Sequence, residues 1–165
     1  MKESDESAAC MAAAEDRGVK VIIITSQTDI QLGSAKLVIH PADKVYENDA
    51  SNNSSLVTEV FHGNNSLLFT GDIEKERIAD IKNELNDAGY DFLKVPHHGK
   101  YETMLQELFN WVGAQSAVIT SSEKNPEEQE TIQALEDAGV KDILLTRGGE
   151  ITLQSDGRKL DFTQK

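Results

Sequence analysis

Asp72 and the pair His97-His98 are the side chains in this sequence best suited to chemistry. Each ends an apolar run, Phe69-Thr70-Gly71-Asp72 in one case and Leu93-Lys94-Val95-Pro96-His97-His98-Gly99 in the other. A carboxylate oxygen is a hard metal ligand and an imidazole nitrogen a borderline one, and together they suit Zn, Mn or Fe. Open α/β sheets collect ligands at the carboxyl ends of their strands, which is where both motifs fall if the runs are strands. Gly71 and Gly99 leave the backbone free to approach there. Simpler roles exist for each group. An aspartate between a strand and a helix serves as an N-cap, and a histidine pair in a loop can be merely exposed. Two glycine-framed strand ends together favour a site. His40 before Pro41 and His62 in a turn read as structural, and Cys10 reads as a small buried residue on a helix. There is no GxGxxG, P-loop, GxSxG or CxxC pattern, and Arg147-Gly148-Gly149 is a lone turn signal.

The elements that must position these residues follow from periodicity and punctuation. Residues 4–17 are alanine-rich and helical, with Ser4 or Asp5 as a cap and Gly18 as a stop, so 1–17 holds an N-terminal helix. The β-branched run from Val19 to Ile24 reads as a buried strand and Lys36–His40 as a second. Residues 43–54 read as an exposed loop. Ser55–Phe61 and Ser66–Thr70 flank His62-Gly63-Asn64-Asn65 as a hairpin. A helix over about 74–88 buries Ile78, Ile81 and Leu85. Then follow a strand at 92–95, a helix at 103–112, a strand at 117–120, a helix starting at Pro126, a strand at 143–145 and a hairpin turning at Asp156-Gly157. This order predicts one layered α/β domain over 1–165.

Composition sets the limits. The 165 residues fit one domain, and 38% hydrophobic with 27% charged residues is ordinary for a globular chain. No run approaches the ~20 apolar residues that span a bilayer, and the acidic start lacks a signal peptide's basic and apolar regions, so the chain reads as a soluble domain. A net charge of −13 argues against non-specific nucleic-acid binding through a basic surface, although divalent metals could supply local positive charge for a phosphate substrate. A single cysteine excludes an internal disulfide.

Three segments in order, Asn53-Ser54-Ser55-Leu56-Val57, Leu68-Phe69-Thr70-Gly71-Asp72-Ile73-Glu74 and Leu93-Lys94-Val95-Pro96-His97-His98-Gly99, resemble the second half of the metallo-β-lactamase-like domain of ComEC-type competence (DNA uptake) proteins and their stand-alone relatives. The similarity extends over about 18–162. It implies the C-terminal portion of an αββα sandwich, a mixed sheet with flanking helices. It implies that Asp72 bridges metals, that His98 is a ligand, and that His97 is a further ligand or faces substrate. In such enzymes a metal-activated water attacks an ester or phosphodiester. The superfamily's HxHxDH ligand cluster has no counterpart here, since the only histidines are His40, His62, His97 and His98. Lys100 stands where the family usually has Ser, and Asn125 where it often has His before a proline. The resemblance therefore implies part of a metal-dependent hydrolase directed at DNA or a small phosphodiester. The chain itself would be inactive and without bound metal, and either cytoplasmic or a soluble part of a membrane-bound protein. The alternative is a non-catalytic interaction half-domain that keeps relic ligands. A half-sandwich would expose an apolar face through which it could form a homodimer.

Overall fold

The computed structural model describes residues 5–48, 50–85 and 89–165. Seven strands form one mixed sheet in chain order: β1 (Thr28–Leu32), β2 (Ala35–His40), β3 (Val57–His62), β4 (Asn65–Phe69), β5 (Phe92–Lys94), β6 (Ser116–Ile119) and β7 (Asp142–Leu145). β1 to β4 pair antiparallel. β4 to β7 pair parallel, so the carboxyl ends of these four strands lie along one edge. Parallel neighbours need crossovers, and helices α3 (Lys75–Ile81), α4 (Leu105–Val112) and α5 (Gln129–Asp137) provide them. α4 shows why they pack as they do. Leu105, Leu108, Phe109 and Val112 recur at one-face helical spacing and are all buried.

The strands alternate between two cores. Leu68, Leu93 and Ala117 pack under the helices. Their neighbours Leu67, Phe92 and Val118 face the opposite side, where a second sheet of β8 (Ile151–Ser155) and β9 (Leu160–Gln164) covers them with Ile151, Leu153, Leu160 and Phe162. A strand covered on both faces reads as a continuous apolar run. That is how β4, β5 and β6 were visible in the sequence. The layers are helices, a large sheet and a small sheet.

Several expectations need correction. The run Val19–Ile24 forms no strand, and Ile22 and Ile23 are 63% and 75% exposed. A strand needs a hydrogen-bonded neighbour and an apolar cover, and this run has no ladder partner among the described residues. The edge strand is instead β1, in a segment without a strong pattern. Cys10 is exposed, because α1 (Asp5–Asp16) is left uncovered and its residues 7–13 are all exposed. The last crossover helix begins at Gln129 rather than at Pro126. The loop expected at 43–54 contains the one-turn helix α2 (Ala50–Asn53). The helix expected over about 74–88 ends at Ile81, and residues 82–85 form turns; Ser4 as a cap and the expected end at Ala88 lie outside the described residues.

Candidate metal centre

Parallel pairing brings the ends of β4, β5 and β6 together, and with them Asp72, the Pro96–Gly99 turn and Thr120. His98 Nε2 lies 3.4 Å from Asp72 Oδ2. On its other side His98 Nδ1 lies 2.7 Å from the Thr120 carbonyl oxygen and 3.0 Å from Thr120 Oγ1. A carbonyl only accepts, so Nδ1 carries the proton, and in the neutral ring Nε2 turns a lone pair toward Asp72. Fixing one imidazole nitrogen on a backbone carbonyl is how proteins orient a metal-ligating histidine.

Asp72 does not cap the following helix. The N-cap of α3 is Glu74, and the Asn53 side-chain oxygen accepts from the backbone N–H groups of Glu74 (2.8 Å) and Arg77 (3.4 Å). With capping assigned to Asn53, the Asp72 carboxylate is free for other work. Its backbone N–H donates to Ser55 Oγ at 3.1 Å. Lys94, inside β5, sends its ammonium to the Gly71 carbonyl (2.8 Å) and to Asp72 Oδ1 (3.3 Å). Burial pushes the Lys94 ammonium below the usual lysine range, and the Asp72 charge opposes that shift.

The structure separates the two histidines. His97 Nδ1 lies 2.9 Å from Glu74 Oε1, an ion-pair contact off the line of a hydrogen bond. Asn52 Nδ2 donates to the same Glu74 oxygen at 2.7 Å. Glu102 completes a group in which the ligand atoms of Glu74, His97 and Glu102 lie within 4.8 Å of one another. Both histidines hold left-handed backbone, with φ of 43° and 55°. Such strain in non-glycine residues costs about 1–3 kcal/mol each and gathers at functional sites. Sequence reasoning named Asp72, His97 and His98 but missed Lys94, Thr120, Glu74 and Glu102. A lysine inside an apolar strand was the one available signal. The other three are ordinary residues until the fold brings them in.

Among the described residues, two groups could hold a divalent cation. Asp72 and His98 offer a carboxylate oxygen and an oriented imidazole nitrogen face to face, which fits a metal in donor chemistry and in tautomer. Glu74, His97 and Glu102 offer three donors, but the Glu74 oxygen is already engaged by Asn52 and His97. We favour the first pair. It supplies two ligands, where a closed site needs four. Beside it opens a cavity of about 680 Å³ whose lining includes His97, His98 and Thr120.

The fold matches that of Igni18, described as a novel metallo hydrolase from the hyperthermophilic archaeon Ignicoccus hospitalis KIN4/I, with a TM-score of 0.56 and 13% identity over 94% of this chain and 66% of that one. The chain thus shares the mixed α/β fold of that neighbour, a large mixed sheet with helices on one face. In sequence the chain is 27% identical over 157 residues to ComE operon protein 3 of Bacillus subtilis (strain 168), covering 93% of this chain and 20% of that protein. It is 34% identical over 79 residues to the uncharacterized protein YcaI of Escherichia coli (strain K12), covering 47% of this chain and 10% of that one. The chain therefore spans a fifth or less of the length of these relatives. No family model matches it. The resemblance to ComEC-type competence proteins holds across nearly the whole chain.

Proposed function

We propose that this chain carries one side of the centre of a metal-dependent phosphodiester hydrolase that acts on nucleic acid during competence DNA uptake. The observation that carries the reading is the His98 imidazole, locked on Thr120 by Nδ1 and presenting Nε2 to Asp72 at 3.4 Å. Asp72 and His98 are the residues that would hold the cation. When bound, a divalent cation supplies Lewis-acid chemistry that acidifies water and offsets phosphate charge. Lys94 holds Asp72 in place and balances part of its charge. His97, set against Glu74, positions the Pro96–Gly99 turn rather than reacting. The remaining ligands come from residues outside these strand ends, since two donors do not make a closed site.

The test is turnover of bis-p-nitrophenyl phosphate with Mn²⁺ or Zn²⁺. The 165-residue chain is compared with a version that continues toward the amino terminus through the corresponding relative's sequence. The expected result is no turnover by the chain alone and turnover by the extended version, lost on Asp72→Ala or His98→Ala. Silence of a folded extended version refutes the reading, as does turnover by the chain alone that both substitutions abolish.

One observation favours a second reading, a non-catalytic interaction module with relic ligands. The Lys94 ammonium already lies against Asp72 and neutralises it without a metal. In that reading the uncovered apolar side chains of Ile22, Ile23 and Leu32 serve as a contact face, for instance in a homodimer. Sedimentation of the chain as a concentration-independent monomer would count against the homodimer.

A further inference from the structure

We infer that the cavity beside His98 is a phosphate-binding subsite, formed by Lys100, Ser121 and Lys124 with the Asn125 amide at its rim. It lies past the ends of β5 and β6, and these four residues belong to its lining. Three features point to an oxyanion. Ser121 is 8% exposed, and its Oγ has no hydrogen-bond partner among the described residues. The Ser121 backbone carbonyl accepts from Thr146 Oγ1 at 2.8 Å, which ties the residue after β6 in place while its hydroxyl stays unpartnered among the described residues. The loop carrying Lys124 is closed on itself. Ser122 N–H donates to the Asn125 carbonyl and Asn125 N–H donates to Ser122 Oγ, each at 3.1 Å, which holds Lys124 at the cavity rim. Lys100 leaves the Pro96–Gly99 turn with its backbone N–H on the His97 carbonyl, and its ammonium is only loosely balanced by Glu102 at 3.9 Å. The one carboxylate in the lining, Glu128, spends Oε2 on the Tyr101 N–H at 3.1 Å.

Two lysines, an asparagine and a serine whose buried hydroxyl is unpartnered therefore line one cavity in a chain of net charge −13. A local donor excess on an acidic protein draws an anion to one place while the rest of the surface repels it. Phosphate matches this set, since lysine binds it as a point charge and its several oxygens take the hydroxyl and amide as well. The assignment of that phosphate to a nucleic-acid diester rests on the function proposed above; the subsite itself is tested without metal or turnover.

Amide NMR titrations of the 165-residue chain at fixed ionic strength use inorganic phosphate, the dinucleoside phosphate TpT and thymidine. Saturable shifts are expected at Ser121, Lys124 and Asn125 with phosphate and TpT, and none with thymidine. Lys100→Gln and Lys124→Gln should each weaken phosphate about tenfold. Lys141→Gln, at the opposite strand end where its N–H meets the Gln115 carbonyl, should change nothing. Ser121→Ala should weaken binding as well, and if it fails to fold the exposed lysines decide the matter. Non-saturable shifts overturn the subsite, as do thymidine binding of equal strength or unchanged affinity in the Lys100→Gln, Lys124→Gln double variant. Binding as described with no turnover by the extended chain keeps the subsite and overturns the proposed function. Turnover with a KM untouched by the double variant does the reverse.

Discussion

Gly99→Ala is the substitution whose cost can be worked most directly from the structure. Gly99 has φ of +78°, where an alanine loses about 1–2 kcal/mol to left-handed backbone. The added Cβ would sit 2.7 Å from Ile119 Cγ2 and 2.9 Å from Glu127 Cβ. Carbon atoms prefer about 3.5–4.0 Å, and neither neighbour can step aside. Ile119 is fully buried in β6, and Glu127 is held by Arg147 at 3.0 Å. Overpacking of this kind costs about 1–3 kcal/mol, so the expected loss is about 2–5 kcal/mol of a typical total of 5–15. Gly113→Ala is the control. It shares the left-handed conformation, with φ of +57°, but a Cβ there meets nothing within 4 Å. It should lose only the left-handed cost of about 1–2 kcal/mol. Urea unfolding followed by Trp111 fluorescence reads both. With a slope of about 2 kcal/mol per M, the midpoint should fall by about 1–2.5 M for Gly99→Ala and about 0.5–1 M for the control. Equal losses in the two variants, within about 0.5 kcal/mol, would refute the packing argument and with it the claim that the turn carrying His98 is wedged tightly onto β6.

Two further outcomes follow from the same geometry. Calorimetric titration of the chain with Zn²⁺ or Mn²⁺ should give affinity of about micromolar or weaker, lost in His98→Ala and retained in His97→Ala; tight stoichiometric uptake of two ions, or the opposite dependence on the two histidines, would contradict the pairing of Asp72 with His98. Burial, with the hydrogen bond and charge of Glu59, raises the Tyr90 hydroxyl well above the usual tyrosine value. The folded state then holds that proton more tightly than the unfolded chain does, so the stabilisation is complete below about pH 10 and is lost as pH climbs above it. Urea midpoints should fall steeply there in the wild type and less so in Tyr90→Phe, and parallel profiles would show that Tyr90 is not the group responsible.

The sequence by itself was enough to place β4, β5, β6 and the helices between them, because strands covered on both faces and helices with one apolar face leave continuous and periodic patterns. It also placed Asp72 and the two histidines at strand ends, since each motif directly follows an apolar run. It misjudged Val19–Ile24, because an apolar, β-branched run records only a propensity to pair. Whether a pairing neighbour exists is not written in the run itself. Only the tertiary structure decided the division of labour between His97 and His98. Adjacent residues with the same side chain are alike in sequence. What sends one ring to Asp72 and the other to Glu74 is a left-handed turn, together with a Thr120 carbonyl 22 residues further along the chain. Lys94, Glu102 and Ser121 gained their places in the same way: parallel pairing aligns strand ends that are far apart in sequence, and the chemistry of the site belongs to that alignment.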